Sequence, residues 1–159
     1  MTKTQQLATR FRDLFLEGKW IANTNYKETL LNINWNQATT KVKSLNTIAL
    51  LTQHINYYIE GVLQVFEGGN LTIKDKYSFD FKSISSQQEW EALLNTFFTN
   101  TENFANHLEV MSNQKLNENF VKKEYGNYLR NIEAMIEHGY YHLGQINLIK
   151  KLIKSKTYA

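Results

Sequence analysis

At 159 residues, with 42% apolar and 21% charged side chains, the chain has ordinary globular composition and enough length for one domain with a real core, so residues 1–159 read as a single domain. It has no cysteine, which excludes a disulfide framework, thiolate metal sites and a cysteine nucleophile on this chain, and which fits the expected cytoplasmic location. The net charge of +3 is too small and too scattered to argue for nucleic acid, and unbroken apolar runs stop at lengths such as Ile48 to Leu51, far short of a membrane span.

Proline is absent and glycine is sparse, which suits a chain dominated by long helices. The segment Met1 to Gly18 alternates polar and apolar residues and does not read as a signal peptide. A first helix is predicted from about Thr4 to Leu16, with Leu7, Phe11, Leu14 and Phe15 on one side. Lys19 to Lys43 is less regular. Asn25 followed by Glu28 predicts a short helix over Tyr26 to Ile33, and Trp20 and Trp35 read as packing anchors at either end of this region.

Ser44 is a good N-cap for a second long helix that Gly68-Gly69 would end. The connection Asn70 to Ser85 carries Tyr77, Phe79 and Phe81 in alternation. Part of it is predicted to be extended and packed over the helices. Ser86 and Glu89 form a Ser-x-x-Glu capping signal for a third helix with a broad apolar stripe from Trp90 to Met111. Asn113 to Tyr125 reads as turns with short extended pieces. A fourth helix runs from about Asn127 to Lys154. Lys150, Lys151, Lys154 and Lys156 suit a helix C-terminus, where cations favour the dipole. Four long amphipathic segments define an all-α class, a helical bundle.

The fourth helix holds His138-Gly-Tyr-Tyr-His142. Histidines four residues apart on a helix lie roughly 6 Å apart along the axis and about 40° apart around it, so both imidazoles can reach one ion. Asn131, Met135, Gln145, Ile149 and Leu152 share their face, within about 60°. On the second helix His54 shares a face with Thr47, Leu50, Leu51, Tyr58, Gly61 and Val65. All three histidines therefore point inward, where they need a hydrogen bond or a metal. Two histidines on one helix and one on another make an open metal site, with a position left for water or substrate. The alternative is buried histidines bonded to carbonyls or tyrosines. No carboxylate joins the histidine faces, and Glu137 does not stand between the histidines as a zincin base would. Tyr57, Tyr58, Tyr140 and Tyr141 flank the site and read either as hydroxyls that donate to a metal-bound anion or support a ligand, or as packing aromatics with a polar tip. His107 reads as a boundary histidine.

The run Ile132 to Ile146, with His138, His142 and Gly144-Gln145, resembles the C-terminal helix signature of the DinB-like (YfiT-like) metalloenzyme superfamily. Thr47 to Ile55, with His54, resembles that family's first-histidine motif. The resemblance covers nearly the whole chain. It implies an up-down-down-up four-helix bundle, often a homodimer, with His54, His138 and His142 as ligands of one divalent metal, chiefly zinc or nickel. It further implies an enzyme acting on a small-molecule substrate, either a transferase using a low-molecular-weight thiol or a hydrolase. No acid, base or nucleophile beside the histidines chooses between these. A non-catalytic, stress-associated metal- or ligand-binding protein is the competing expectation. A second apolar stripe on the fourth helix, Leu129, Ile132, Ile136 and Leu143, motivates the homodimer, unless the N-terminal segment covers it.

Overall fold

The computed structural model describes residues 1–155. Among them the chain is all-helical, with six α-helices, four of them long. These are α1 (Lys3–Phe15), α2 (Tyr26–Leu31), α3 (Trp35–Thr39), α4 (Ile48–Phe66), α5 (Gln87–Val110) and α6 (Tyr128–Ser155). Short 3-10 turns occupy Asp75–Tyr77, Lys115–Asn117 and Lys123–Tyr125. No helix of the described residues is long and apolar enough to cross a membrane. Lys156 of the C-terminal lysine group lies outside the described residues.

Side-chain caps place the helix starts. Thr2 accepts from the Gln5 N–H and the Gln5 side chain returns to the Thr2 N–H, a reciprocal box at the start of α1. Asn25 caps α2 through the Glu28 N–H at 2.8 Å. Ser86 caps α5, but the Glu89 carboxylate bonds Ser85 through its N–H and hydroxyl, not Ser86. Asn127 accepts from the Arg130 N–H at 2.9 Å at the start of α6. The second long helix begins later than Ser44 predicted. Thr47 is its cap, accepting from the Leu50 N–H at 3.1 Å. Lys43 adopts φ +50° and the Leu45 N–H bonds the Val42 carbonyl, so Ser44 is taken up in a turn before the helix. At the other end of α4, Gly68 takes φ +88°, a conformation that costs glycine little and other residues more.

α1 packs on α5 and α6, and α4 packs on the same two helices. The core between α1 and α5 is aromatic. Phe11 stacks on Phe104 with centroids 4.3 Å apart, and Phe15 stacks on Tyr26 at 4.8 Å. Buried Trp90 donates its indole N–H to the Ile33 carbonyl at 2.8 Å. The Tyr26 hydroxyl donates to the Gly139 carbonyl at 2.7 Å. A Cβ on Gly139 would sit 2.5 Å from Leu14 and 2.8 Å from Phe15, so glycine is what lets α6 approach α1 this closely.

Four expectations change. Trp20 is not an anchor: it is 86% exposed, because Ala22 and Asn23, both at positive φ, turn the chain and leave the indole outside. Trp35 does pack against the core, as the first residue of α3. That helix was not foreseen, because five residues are too few to show a period. The Tyr77–Phe81 alternation does not make a strand; the 3-10 turn Asp75–Tyr77 takes up its first residue, and the segment lies on α4 through side chains. Finally, Ile132, Ile136 and Leu143 of the second apolar stripe are buried inside the chain, on the helix that packs against α1. That stripe therefore does not by itself call for a second copy. Between α5 and α6, an isolated antiparallel bridge joins Asn119 and Asn127, in line with the expected mix of turns and extended pieces.

Candidate metal centre

The α4–α6 contact brings His54, His138 and His142 together, as predicted. The three rings offer nitrogens that all lie within 4.8 Å of one another. The His138 Nε2 stands 3.2 Å from the Nε2 of His54 and 2.9 Å from that of His142. Tetrahedral zinc with Zn–N near 2.0–2.1 Å holds its ligand nitrogens roughly 3.3 Å apart. His138 therefore stands close to ligating separation from both of the other rings, and the His54 and His142 nitrogens lie within 4.8 Å of each other.

The opposite ring nitrogens decide what these Nε2 atoms carry. The His54 Nδ1 lies 2.9 Å from the Ser78 carbonyl, which only accepts, so Nδ1 holds the proton and Nε2 presents a lone pair. The His142 Nδ1 lies 2.6 Å from the Gln145 Oε1, and the same logic directs its Nε2 lone pair inward. A proton on the His138 Nε2 serves one of these lone pairs and leaves the other facing it. One cation at the centre would serve all three nitrogens. The donor set thus fits a divalent ion of the kind imidazole binds.

Electrostatics favour the same state. Burial holds all three imidazoles below the ordinary histidine range. His138 is pushed down to about 4 by its own burial and by the two neighbouring rings. The Ser78 carbonyl and the Asp75 charge pull His54 partly back, and Gln145 does so for His142. Neutral rings at pH 7 are what metal ligation needs.

Aromatic side chains hold the rings in place. Phe79 stacks on His54 with centroids 3.9 Å apart. Tyr58 meets both His54 and His138 edge-on at 5.2 Å. Tyr141 touches His142 from an exposed position. Tyr57 instead pins the connection, exchanging hydrogen bonds with the Lys74 backbone. Tyr140 is half-buried beside the turn at Ile21 to Thr24. His107 lies apart, 3.9 Å from Glu67 and partly exposed. Glu133 and Glu137 pair with Lys3 and Arg130, away from the histidines.

His138 and Tyr58 also line a cleft of about 630 Å³, within the usual range for small-molecule sites. Its wall includes Val62, Phe120, Asn131, Met135 and Asp75. Helix faces alone show no carboxylate near the histidines, but the connection supplies one. The Tyr58 hydroxyl donates to the Asp75 Oδ1 at 2.9 Å. Asp75, Ser78 and Phe79 could not be found from periodicity, since they act from a segment without one. The odd density of aromatics in that segment was the available signal.

These features define an all-helical protein with a three-histidine group able to hold a metal ion. No family model, curated protein or solved structure matches the chain.

Proposed function

We propose that the chain is a divalent-metal-dependent enzyme of the DinB-like class, an up-down-down-up four-helix bundle that acts on a small molecule. His54, His138 and His142 would hold one ion, zinc or nickel. The observation that carries this reading is the convergence of three neutral imidazoles, with the inward lone pairs of two of them fixed by Ser78 and Gln145. A bound divalent ion would supply Lewis acidity, lowering the pKa of a coordinated water or thiol. The protein's own contribution is orientation and access. Ser78 and Gln145 set the tautomers, Phe79 and Tyr58 hold the rings, and the cleft beside His138 admits a substrate. Water as the coordinated group gives a hydrolase; an external low-molecular-weight thiol gives an S-transferase.

Elemental analysis of untagged protein tests the reading. About one zinc or nickel per chain is expected, lost in the His138→Ala, His142→Ala double variant. Folded wild-type protein that refuses both metals would remove it. A second reading, a non-catalytic metal- or ligand-binding protein, has one observation in its favour. Among the described residues, the groups touching the three rings are aromatics, an amide and a carbonyl, with no carboxylate or thiol among them. Turnover of an ester or an activated thiol acceptor by the metal-loaded protein separates the two.

A further inference from the structure

Three polar groups on the wall of the cleft beside His138, namely Tyr58, Asp75 and Asn131, face it as hydrogen-bond acceptors, while the Lys74 ammonium and the Tyr125 hydroxyl on the same wall are donors. The Tyr58 hydroxyl donates to Asp75 at 2.9 Å, so its oxygen has only lone pairs left. Asn131 gives its Nδ2 protons to the Tyr125 and Asn127 carbonyls, both at 2.8 Å, which leaves Oδ1 as its offering. Asp75 is a carboxylate whose Oδ1 already accepts from Tyr58. No cation among the described residues pairs with Asp75, and that includes the neighbouring Lys74, whose exposed side chain also borders the cleft. Between these acceptors the wall is apolar, with Val62, Phe120 and Met135.

We infer that this cleft selects a small molecule with a protonated amino group on an apolar body. The ammonium would sit against Asp75, with Tyr58 and Asn131 as further acceptors, and the apolar part would lie along Val62, Phe120 and Met135. The acceptor set has a matching chemistry: an ammonium offers three donors and one positive charge and accepts nothing. At Asp75, Tyr58 and Asn131 an anionic head would meet lone pairs and a like charge, and only Lys74 and Tyr125 would offer it donors. Asp75 is exposed at the rim, so its contribution is screened by solvent and salt. The inference rests on the cleft being the substrate's route to the histidines, but its test does not depend on the metal.

The probes are n-hexylammonium and 1-hexanol, alike in apolar length and different in head group. Their binding is titrated at low ionic strength against the protein as isolated and after chelator treatment. Wild type is expected to prefer hexylammonium by about fivefold, the scale of an exposed ion pair. Added salt should erode that preference. D75N keeps an oxygen for the Tyr58 hydroxyl and should bind the two probes about equally. Equal binding of both probes by wild type, no measurable binding of either, or a preference that survives in D75N overturns the inference. A preference in protein that takes up no metal leaves the inference standing and removes the metal reading. Its absence in protein holding one ion per chain does the reverse.

Discussion

The α1–α5 side of the molecule and the α4–α6 corner are built from similar aromatic material but solve opposite problems. Between α1 and α5, Phe11, Phe15, Phe97 and Phe104 are fully buried, and no buried side-chain polar atom of the described residues lacks a hydrogen-bond partner. At the α4–α6 corner, His54 and His142 are also buried, yet they turn lone pairs toward a common point. The first region gains from removing apolar surface from water. The second gives up some of that gain to hold neutral imidazoles together. Stability should therefore reside in the first region and ligand chemistry in the second.

The largest effect that tests this division is in the aromatic core. Phe104 is fully buried and stacked on Phe11, so Phe104→Ala should cost about 3–5 kcal/mol in denaturant unfolding. The variant should keep its metal stoichiometry wherever it remains folded. A cost under about 1 kcal/mol would mean that the core collapses around the loss and that the division is misplaced.

Gln145→Leu probes the other region. It removes the group that fixes the His142 tautomer, and metal affinity should fall roughly 10- to 100-fold, as for other partners that orient a ligating histidine. Unfolding of the metal-free protein should change little. Unaltered affinity would show that the 2.6 Å contact does not direct the ring.

The smallest effect is with pH. The His138 pKa is about 4 in the folded chain against an ordinary 6.5, so the unfolded chain binds the proton more readily. The contribution is neutral above pH about 6.5, turns unfavourable as pH falls through that value, and stops growing near pH 4. The ring is partly exposed, so the penalty is on the order of 1 kcal/mol after screening. Chelator-treated His138→Gln should lose less stability than wild type across this window. Parallel curves would show that His138 carries no such penalty.

What was legible in the sequence follows the same division. The 3.6-residue period of α1, α4, α5 and α6 reports which side of each helix is buried, and it placed all three histidines inward. Caps were partly legible. Asn25 acts as read; Ser86 caps its helix, but Glu89 bonds Ser85 and leaves the box open; and Ser44 was set aside because Lys43 takes a left-handed conformation and Thr47 caps instead. Trp20 was misread because hydrophobicity alone does not report where a left-handed turn at Ala22 and Asn23 aims a side chain. The part of the site that comes from the connection was not legible. Ser78 and Phe79 reach His54, and Asp75 reaches Tyr58, across a long sequence separation from a segment with no period of its own.

X-ray absorption on protein loaded with one equivalent of zinc addresses the central claim most directly. The account predicts three imidazole nitrogens at about 2.0–2.1 Å and a further light-atom ligand, with one imidazole lost in His54→Ala. A zinc environment with fewer than three imidazoles, or one left unchanged by His54→Ala, would contradict it.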